Sequence, residues 1–218
     1  NGAGKSTLIK LLMRLYDPTG GRIEMNGEPV DRFTLSSYRG KFGAVFQDYQ
    51  IFAASIAENV VTDVCTDANK ERILQALDRS GFSDKLDFLP EGIATQLTKE
   101  FDPDGVNLSG GEAQKIAIAR IFAKPCDIVV LDEPSSALDP ISEYELNQTM
   151  MSAAFDKTVV FISHRLSTTR MADVIYMLEN GEIIEQGSHD ELMQQNGKYA
   201  AMFRMQAEKY NIKEDVAV

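Results

Sequence analysis

Cysteine is scarce in this sequence, with only Cys65 and Cys126 in 218 residues. The two lie far apart, and neither has a CxxC or Cys/His partner at a spacing that suggests a metal site. We therefore expect both to be reduced thiols in a cytosolic protein.

Long apolar runs are also missing. The longest aliphatic stretches, such as residues 128–131 and 159–162, are a few residues long, whereas a bilayer-spanning helix needs about 20. No basic start followed by an apolar segment and a small-residue cleavage site is present. The sequence thus predicts no transmembrane segment and no secretory signal, while 44% hydrophobic residues are ample for a buried core.

Positive charge is in deficit, because the formal net charge is −11. Proteins that bind nucleic acids concentrate Lys and Arg to neutralise phosphates, so we expect no nucleic-acid partner. The same excess of negative charge would repel ATP, which is itself an anion. A phosphate site must therefore be built locally, where one cation at about 4 Å can contribute about 4 kcal/mol at an effective dielectric constant of about 20.

Short apolar runs alternate with helical patterns, which is typical of a mostly parallel sheet covered by helices. Asn26-Gly27 and Asn180-Gly181 predict tight turns between strands. Residues 48–124 form a long, mostly helical interval, which we interpret as an inserted subdomain. Capping boxes predict helix starts at Ser55 and Ser188. The predicted strands are Arg22–Met25, Phe42–Phe46, Ile128–Leu131, Thr158–Ile162, Val174–Leu178 and Glu182–Gln186.

The first residues match most of a phosphate-binding loop, G-x-x-x-x-G-K-[ST], whose first two positions would precede residue 1. Glycines let backbone amides face phosphate oxygens, Lys5 can reach the β- and γ-phosphates, and the Ser6 hydroxyl can bind magnesium. A glycine-rich helix start without a ligand is the alternative. The candidate phosphate-binding residues are Asn1, Gly2, Ala3, Gly4, Lys5, Ser6 and Thr7, and the predicted buried side of the following helix is Leu8, Ile9, Leu11, Leu12 and Leu15.

Two acids, Asp132 and Glu133, end a predicted buried strand. Neighbouring like charges raise one another's pKa, so a cation or a reaction explains them better than stability does. In a phosphate-loop enzyme Asp132 would hold the magnesium shell and Glu133 would polarise the attacking water. The alternative is a strand that simply emerges into a polar loop.

A second glycine-rich helix start follows Leu108, with the residues Ser109, Gly110, Gly111 and Glu112. Its exposed amides and hydroxyl could bind an anion. Alone, the same residues could be a helix cap on a flexible approach.

In order and spacing, Leu-Ser-Gly-Gly-Glu at 108–112, Val-Leu-Asp-Glu-Pro at 130–134, Ser-Ser-Ala-Leu-Asp at 135–139 and Ile-Ser-His-Arg at 162–165 resemble the signature, Walker B, D-loop and switch-histidine motifs of ABC ATPases. The resemblance covers essentially the whole chain. It implies that Gln47 senses magnesium and water, that His164 contacts the γ-phosphate, and that Asp139 lies at a dimer seam.

The resemblance also implies a fold and a mechanism. The fold is an α/β, RecA-like P-loop NTPase, with a core at residues 1–47 and 125–218 and a helical signature subdomain at residues 48–124. The implied catalytic residues are Glu133, His164 and Gln47, and magnesium would be bound by Ser6, Gln47 and Asp132. Ser109, Gly110 and Gly111 of one copy would complete the ATP site of a second nucleotide-binding domain, so that hydrolysis needs a dimer.

Residues 47–60 and 181–192 are similar to exporter ATPases, in which a membrane domain is fused upstream. We therefore expect a transmembrane partner and a position at the cytoplasmic side of a membrane. Three alternatives stay open, namely an importer subunit, a non-transport ATPase acting on DNA or ribosomes, and a regulatory domain that binds ATP without hydrolysing it.

The sequence departs from the family pattern in three places. Glu112 stands where Gln is usual, which predicts a modest effect because its charge lies near a positive helix end. Residues 99–105 are not the commonest exporter form of this loop. Because the chain begins inside the phosphate loop, we expect weak or no nucleotide binding by the isolated chain.

Overall fold

A computed structural model describes residues 2–89, 91–132, 157–163 and 166–214, without the side chains of 166–167 and 209–214. The chain divides into two compact units, Asn1–Pro18 with Ile162–Val218, and Thr19–Phe161. The proposed functional division at residues 48–124 remains a prediction. Within the described ranges, no helix has the length and apolar character needed to span a membrane.

The larger unit opens with a two-stranded hairpin of β1 (Glu24–Met25) and β2 (Glu28–Pro29). Asn26 and Gly27 have φ values of 53° and 81°, the positive values that a type I′ turn requires. The turn predicted from this dipeptide is thus confirmed. A short helix, α2 (Leu35–Gly40), begins where the Thr34 side chain accepts a hydrogen bond from the Ser37 amide.

The sheet of this unit has the strand order β3 (Phe42–Val45), β4 (Ile128–Asp132) and β5 (Thr158–Ile162). β3 and β4 run parallel, with Phe42 opposite Ile128 and Val45 opposite Leu131. β4 lies in the middle, and its residues 129–131 are buried, as expected for a strand covered on both faces.

The described residues of the predicted interval 48–124 include four α-helices and a short 3-10 helix at Gly92–Ala94; the α-helices are α3 (Ile56–Val61), α4 (Asp67–Arg79), α5 (Ser83–Leu86) and α6 (Gly110–Ala123). They enclose one apolar cluster, made of Ile56, Ala57, Val60, Ile73, Ala76, Leu77, Phe82, Leu97, Ile116, Ala119 and Ala123. The helical character of this interval is confirmed. Since the cluster joins residues far apart in sequence, it fixes the position of α6 within the unit.

The smaller unit contains α1 (Lys5–Leu12), α7 (Leu166–Thr169), the antiparallel strands β6 (Ile175–Glu179) and β7 (Glu182–Gly187), α8 (His189–Gln195) and α9 (Lys198–Glu214). Asn180 and Gly181 form the turn between the strands with φ values of 50° and 84°, as predicted. Ile175, Leu192 and Tyr199 form a buried cluster.

The predicted buried side of α1 is partly wrong. Ile9 is buried, but Leu8 and Leu15 are 39% and 43% exposed. The helix ends at Leu12, and Arg14 then adopts a φ of 53°, so Leu15 is no longer on the helix face. Met13, four residues after Ile9, takes the second buried position instead.

Candidate functional site

The phosphate loop lies in the smaller unit, where Gly2 and Gly4 have φ values of 88° and 96°. L-residues with a side chain are strained in this region, so the glycines are required by the backbone path. Gly4 has no side chain that could cap α1, and its carbonyl accepts the Leu8 amide at 2.9 Å. A helix N-terminus that has no side-chain cap is a common place for an anion to bind.

The same loop contacts the turn between β6 and β7. The Gly181 amide donates to the Ala3 carbonyl at 3.1 Å. A Cβ at Gly4 would lie 3.4 Å from the Gly181 Cα, so the two backbones are in close contact. Lys5 is half-buried, and Ser6 and Thr7 are exposed, which leaves their hydroxyls on the surface of the unit. Asn1 lies outside the described residues.

In the larger unit, Asp132 and Gln47 lie at the carboxyl ends of two neighbouring parallel strands. Asp132 is the last residue of β4 and is 9% exposed, while Gln47 is exposed two residues beyond the end of β3. The carboxyl ends of parallel strands meet at one edge of a sheet, which is where α/β proteins bind ligands. The structure thus brings these two predicted residues to the same edge. Glu133, Asp139 and His164 lie outside the described residues.

The third predicted element is the start of α6. Ser109 caps this helix, because its Oγ accepts the Glu112 amide at 3.3 Å and its own amide donates to the Glu112 carboxylate at 2.8 Å. Ser109 and Gly110 are exposed. Glu112 therefore completes a capping box, which was not predicted here although the same pattern was recognised at Ser55 and Ser188.

The charge of Glu112 is balanced within the unit. The pKa of its carboxyl group is lowered chiefly by the hydrogen bond from the Ser109 amide and also by Lys85, whose Nζ lies 3.0 Å from the other carboxylate oxygen. Burial opposes both effects but does not outweigh them. The negative charge that replaces the usual glutamine is thus engaged in capping and in an ion pair.

Two contacts between α6 and the segment after Gln47 were not predicted. The Tyr49 hydroxyl donates to the Gly110 carbonyl at 3.1 Å, and Arg120 Nη2 donates to the Gln50 carbonyl at 2.8 Å. Burial raises the pKa of the Tyr49 phenol and lowers the pKa of Arg120. The partners are 61 and 70 residues apart, and no local pattern indicates such pairs.

Magnesium fits the oxygen donors that the chain offers. Mg²⁺ is usually bound by one or two carboxylates together with substrate phosphates and water. The buried Asp132 carboxylate and the exposed Ser6 hydroxyl are donors of this kind. The described ranges contain no group of three or more His, Cys, Asp or Glu side chains that could hold a metal ion, and a phosphate-bound magnesium does not need one.

Comparison with known proteins agrees with these features. The family described as ABC transporter matches residues 1–136. ABC transporter B family member 15 of Arabidopsis thaliana is 40% identical over 220 residues, which is 100% of this chain and 17% of the relative. An ATP-dependent lipid A-core flippase of Cupriavidus metallidurans is 40% identical over 208 residues, which is 94% of this chain and 34% of the flippase.

A solved structure is also similar. It is described as a bacterial Atm1-family ABC exporter with ATP bound, and it has a TM-score of 0.84, 38% identity, and coverage of 95% of this chain and 35% of the exporter chain.

The phosphate loop, the acid at the end of a parallel strand and the capped glycine-rich helix start define a P-loop ATPase domain. The chain belongs to the ABC transporter family, and its similarity to exporters confirms both the predicted fold class and the predicted ATPase activity of the domain. It spans between about a sixth and a third of the length of these relatives.

Proposed function

We propose that this domain hydrolyses Mg-ATP at a head-to-tail interface with a second nucleotide-binding domain and thereby drives export of a substrate across a membrane. The observation that carries the proposal is the exposure of the N-terminus of α6. Ser109 and Gly110 are exposed at a capped helix N-terminus, on a helix that the apolar cluster holds in place. Such a start is suited to bind the phosphates of a nucleotide held by another copy.

Within one copy, Gly2, Gly4 and Lys5 would hold the triphosphate through backbone amides and one ammonium group. Ser6 and Asp132 would bind magnesium, with Gln47 contributing from the same sheet edge as Asp132. When bound, magnesium would neutralise charge on the β- and γ-phosphates. Side chains of the protein would position the attacking water and the γ-phosphate.

The hydrolytic step is assigned to Glu133, which would orient and polarise water for attack on the γ-phosphate, while His164 contacts that phosphate. Asp139 would lie at the seam between the copies. ATP then acts as an adhesive between two domains, and its hydrolysis separates them. The fused or associated membrane domain, with this domain on the cytoplasmic side, would convert that separation into transport.

The test is the Glu133→Gln variant of the full-length protein. Glutamine keeps the size of the side chain but is a poor general base, so turnover should fall by roughly 10²–10⁴ while ATP binding is kept. Steady-state phosphate release and binding of a fluorescent ATP analogue measure the two quantities. Unchanged turnover would remove Glu133 from this role.

A matched control is Asp127→Asn, which neutralises an exposed acid directly before β4, where it pairs with Lys41 at 2.9 Å. Its turnover should stay within about twofold of the wild type, since exposed ion pairs contribute little. Crosslinking tests the interface, because the Glu133→Gln protein should trap Mg-ATP between two domains. If no ATP-dependent association of the domains appears in that variant, the dimer mechanism is wrong.

A further inference from the structure

The Tyr49 hydroxyl and the Gly110 carbonyl are 3.1 Å apart, and this contact joins the segment after Gln47 to the start of α6. The Tyr49 ring packs on the apolar cluster that includes Val45, Ala117 and Ile121, so the side chain is anchored on the sheet and on α6. A hydroxyl at the end of an anchored ring has a defined position. The Gly110 carbonyl is therefore held by a group that itself cannot move far.

A second contact holds the same segment further along α6. Arg120 donates through Nη2 to the Gln50 carbonyl at 2.8 Å and through Nε to the Asn59 carbonyl at 2.8 Å. Its guanidinium also lies over the Phe52 ring, 5.2 Å from the centroid. Arg120 is a long cation whose contacts with Gln50, Phe52 and Asn59 all fall within residues 50–59, so it fixes this stretch against the middle of α6.

The two contacts act at separated points of one rigid element. Gly110 and Arg120 are ten residues apart, which is roughly 15 Å along a helix, whereas Tyr49 and Gln50 are adjacent. The Tyr49 side chain contacts the start of α6, and the Arg120 side chain extends from the middle of α6 to Gln50. The two contacts therefore hold α6 at two separate points along its length. A shift or rotation of α6 relative to residues 49–50 would break at least one of the contacts.

We propose that Tyr49 is a positioning residue, which holds the Ser109-Gly110-Gly111 start of α6 at a fixed position relative to Gln47. Tyr49 thereby couples the ATP site of its own copy, which includes Gln47, to the ATP site that α6 completes in the other copy. The inference rests on the proposed function, because it takes those three residues to contact a nucleotide. Gln47 is two residues from Tyr49, so a movement of Gln47 on nucleotide binding is passed to the Gly110 carbonyl through one short stretch of backbone and one hydrogen bond.

The experiment is Tyr49→Phe in the full-length protein, which keeps the anchored ring and removes the donor. We expect kcat for Mg-ATP to fall about 3- to 10-fold, the effect of losing one neutral hydrogen bond in the active arrangement. The affinity for ATP at the chain's own phosphate loop should stay within twofold, because the Tyr49 hydroxyl contacts the start of α6. Tyr176→Phe is the matched control, since Tyr176 is 54% exposed on β6, and its kcat should be unchanged.

A double-mutant cycle separates positioning from general destabilisation. If Tyr49 acts through the helix start, Tyr49→Phe should have little further effect on the residual turnover of a Ser109→Ala protein. An unchanged kcat in the single variant overturns the proposal, and so does a fall in kcat that is fully additive with Ser109→Ala. If Tyr49→Phe does not fold, Arg120→Lys, which shortens the reach to Gln50 and keeps the charge, is tested by the same two criteria.

Failure of the inference can be told from failure of the proposed function. If the wild type shows no Mg-ATP turnover, or if Glu133→Gln does not slow it, the function itself is wrong. If both behave as expected and only the Tyr49→Phe results disagree, the function stands and the coupling through Tyr49 does not.

Discussion

The ammonium of Lys85 lies 3.0 Å from the carboxylate of Glu112, and this ion pair joins α5 to the first turn of α6. The other oxygen of that carboxylate accepts the Ser109 amide at 2.8 Å. One side chain thus caps the helix start and ties it to a neighbouring helix. Since both partners are about one-third exposed or less, the pair contributes modestly to stability.

Glu112→Gln should therefore reveal a pH-dependent loss of stability. The pKa of Glu112 is lowered in the folded state, so its charge stabilises the fold above the ordinary pKa of about 4.3, and this contribution is lost as the pH falls through the lower folded pKa. Glutamine can still accept the Ser109 amide but cannot pair with Lys85. We expect the variant to be less stable by about 0.5–1 kcal/mol at pH 7, and nearly equal to the wild type once the pH lies below the lowered folded pKa of Glu112, as measured by urea unfolding across this pH range.

Salt provides the control for this prediction. The Lys85 contribution is partly exposed, so 0.5 M NaCl should reduce the difference at pH 7, whereas the hydrogen bond from Ser109 is less sensitive. A stability difference that grows as the pH is lowered would contradict the assigned sign.

Asn59 is expected to be a large contributor to stability in the helical part. It is fully buried, its Oδ1 accepts the Phe52 amide at 2.9 Å, and its Nδ2 donates to the Phe52 and Ser55 carbonyls at 2.9 and 3.1 Å. Asn59→Ala would leave the buried side of this turn without the acceptor of the Phe52 amide, and it would remove one donor from each of the two carbonyls, which keep the Ala54 and residue-59 backbone amides as donors. We expect a loss of about 2–4 kcal/mol, measured by urea unfolding.

Asn69→Ala is the matched control, because Asn69 makes similar backbone contacts at an exposed helix start. Its loss should be under about 1 kcal/mol, the usual effect of an exposed cap. Equal losses for the two variants would show that burial of the Asn59 amide is not what matters.

Local patterns predicted much of this fold because local physics determines those elements. All six predicted strands are present within one or two residues, and the Asn-Gly turns have the positive φ values that favour those residues. The capping boxes at Ser55 and Ser188 are confirmed, since each depends on residues three apart. The motif order similarly located the helix start at Ser109 without any tertiary information.

The structural features that the sequence patterns did not predict depend on contacts between distant parts of the chain. β2 has only two residues, and its partner β1 defines it as a strand. On α4 the buried residues are Ile73, Ala76 and Leu77, whereas Leu74 is 41% exposed. The bonds from Tyr49 to Gly110 and from Arg120 to Gln50 join residues that only the folded apolar cluster brings together.

Gly105 closes the loop that precedes the signature residues, and it has no room for a side chain. A Cβ there would lie 1.9 Å from the Thr98 carbonyl oxygen and 2.9 Å from that of Asp102. The loop is pinned by its own backbone, since the Gly105 amide donates to Asp102 at 3.0 Å and the Thr98 amide donates to Val106 at 3.0 Å. Any added atom must therefore push apart backbone groups that are already hydrogen-bonded.

Gly105→Ala should thus destabilise the protein by about 1–3 kcal/mol, the usual range for overpacking a tight site. Gly40→Ala is the control, because nothing lies within 4 Å of a Cβ at the end of α2, and alanine there should be neutral or stabilising by up to about 1 kcal/mol. Urea unfolding measures both, and hydrogen exchange should show faster opening of residues 98–106 in Gly105→Ala alone. Equal exchange in the two variants would mean that the loop relaxes without disturbing its pairing, and the close approach at Gly105 would then be dispensable.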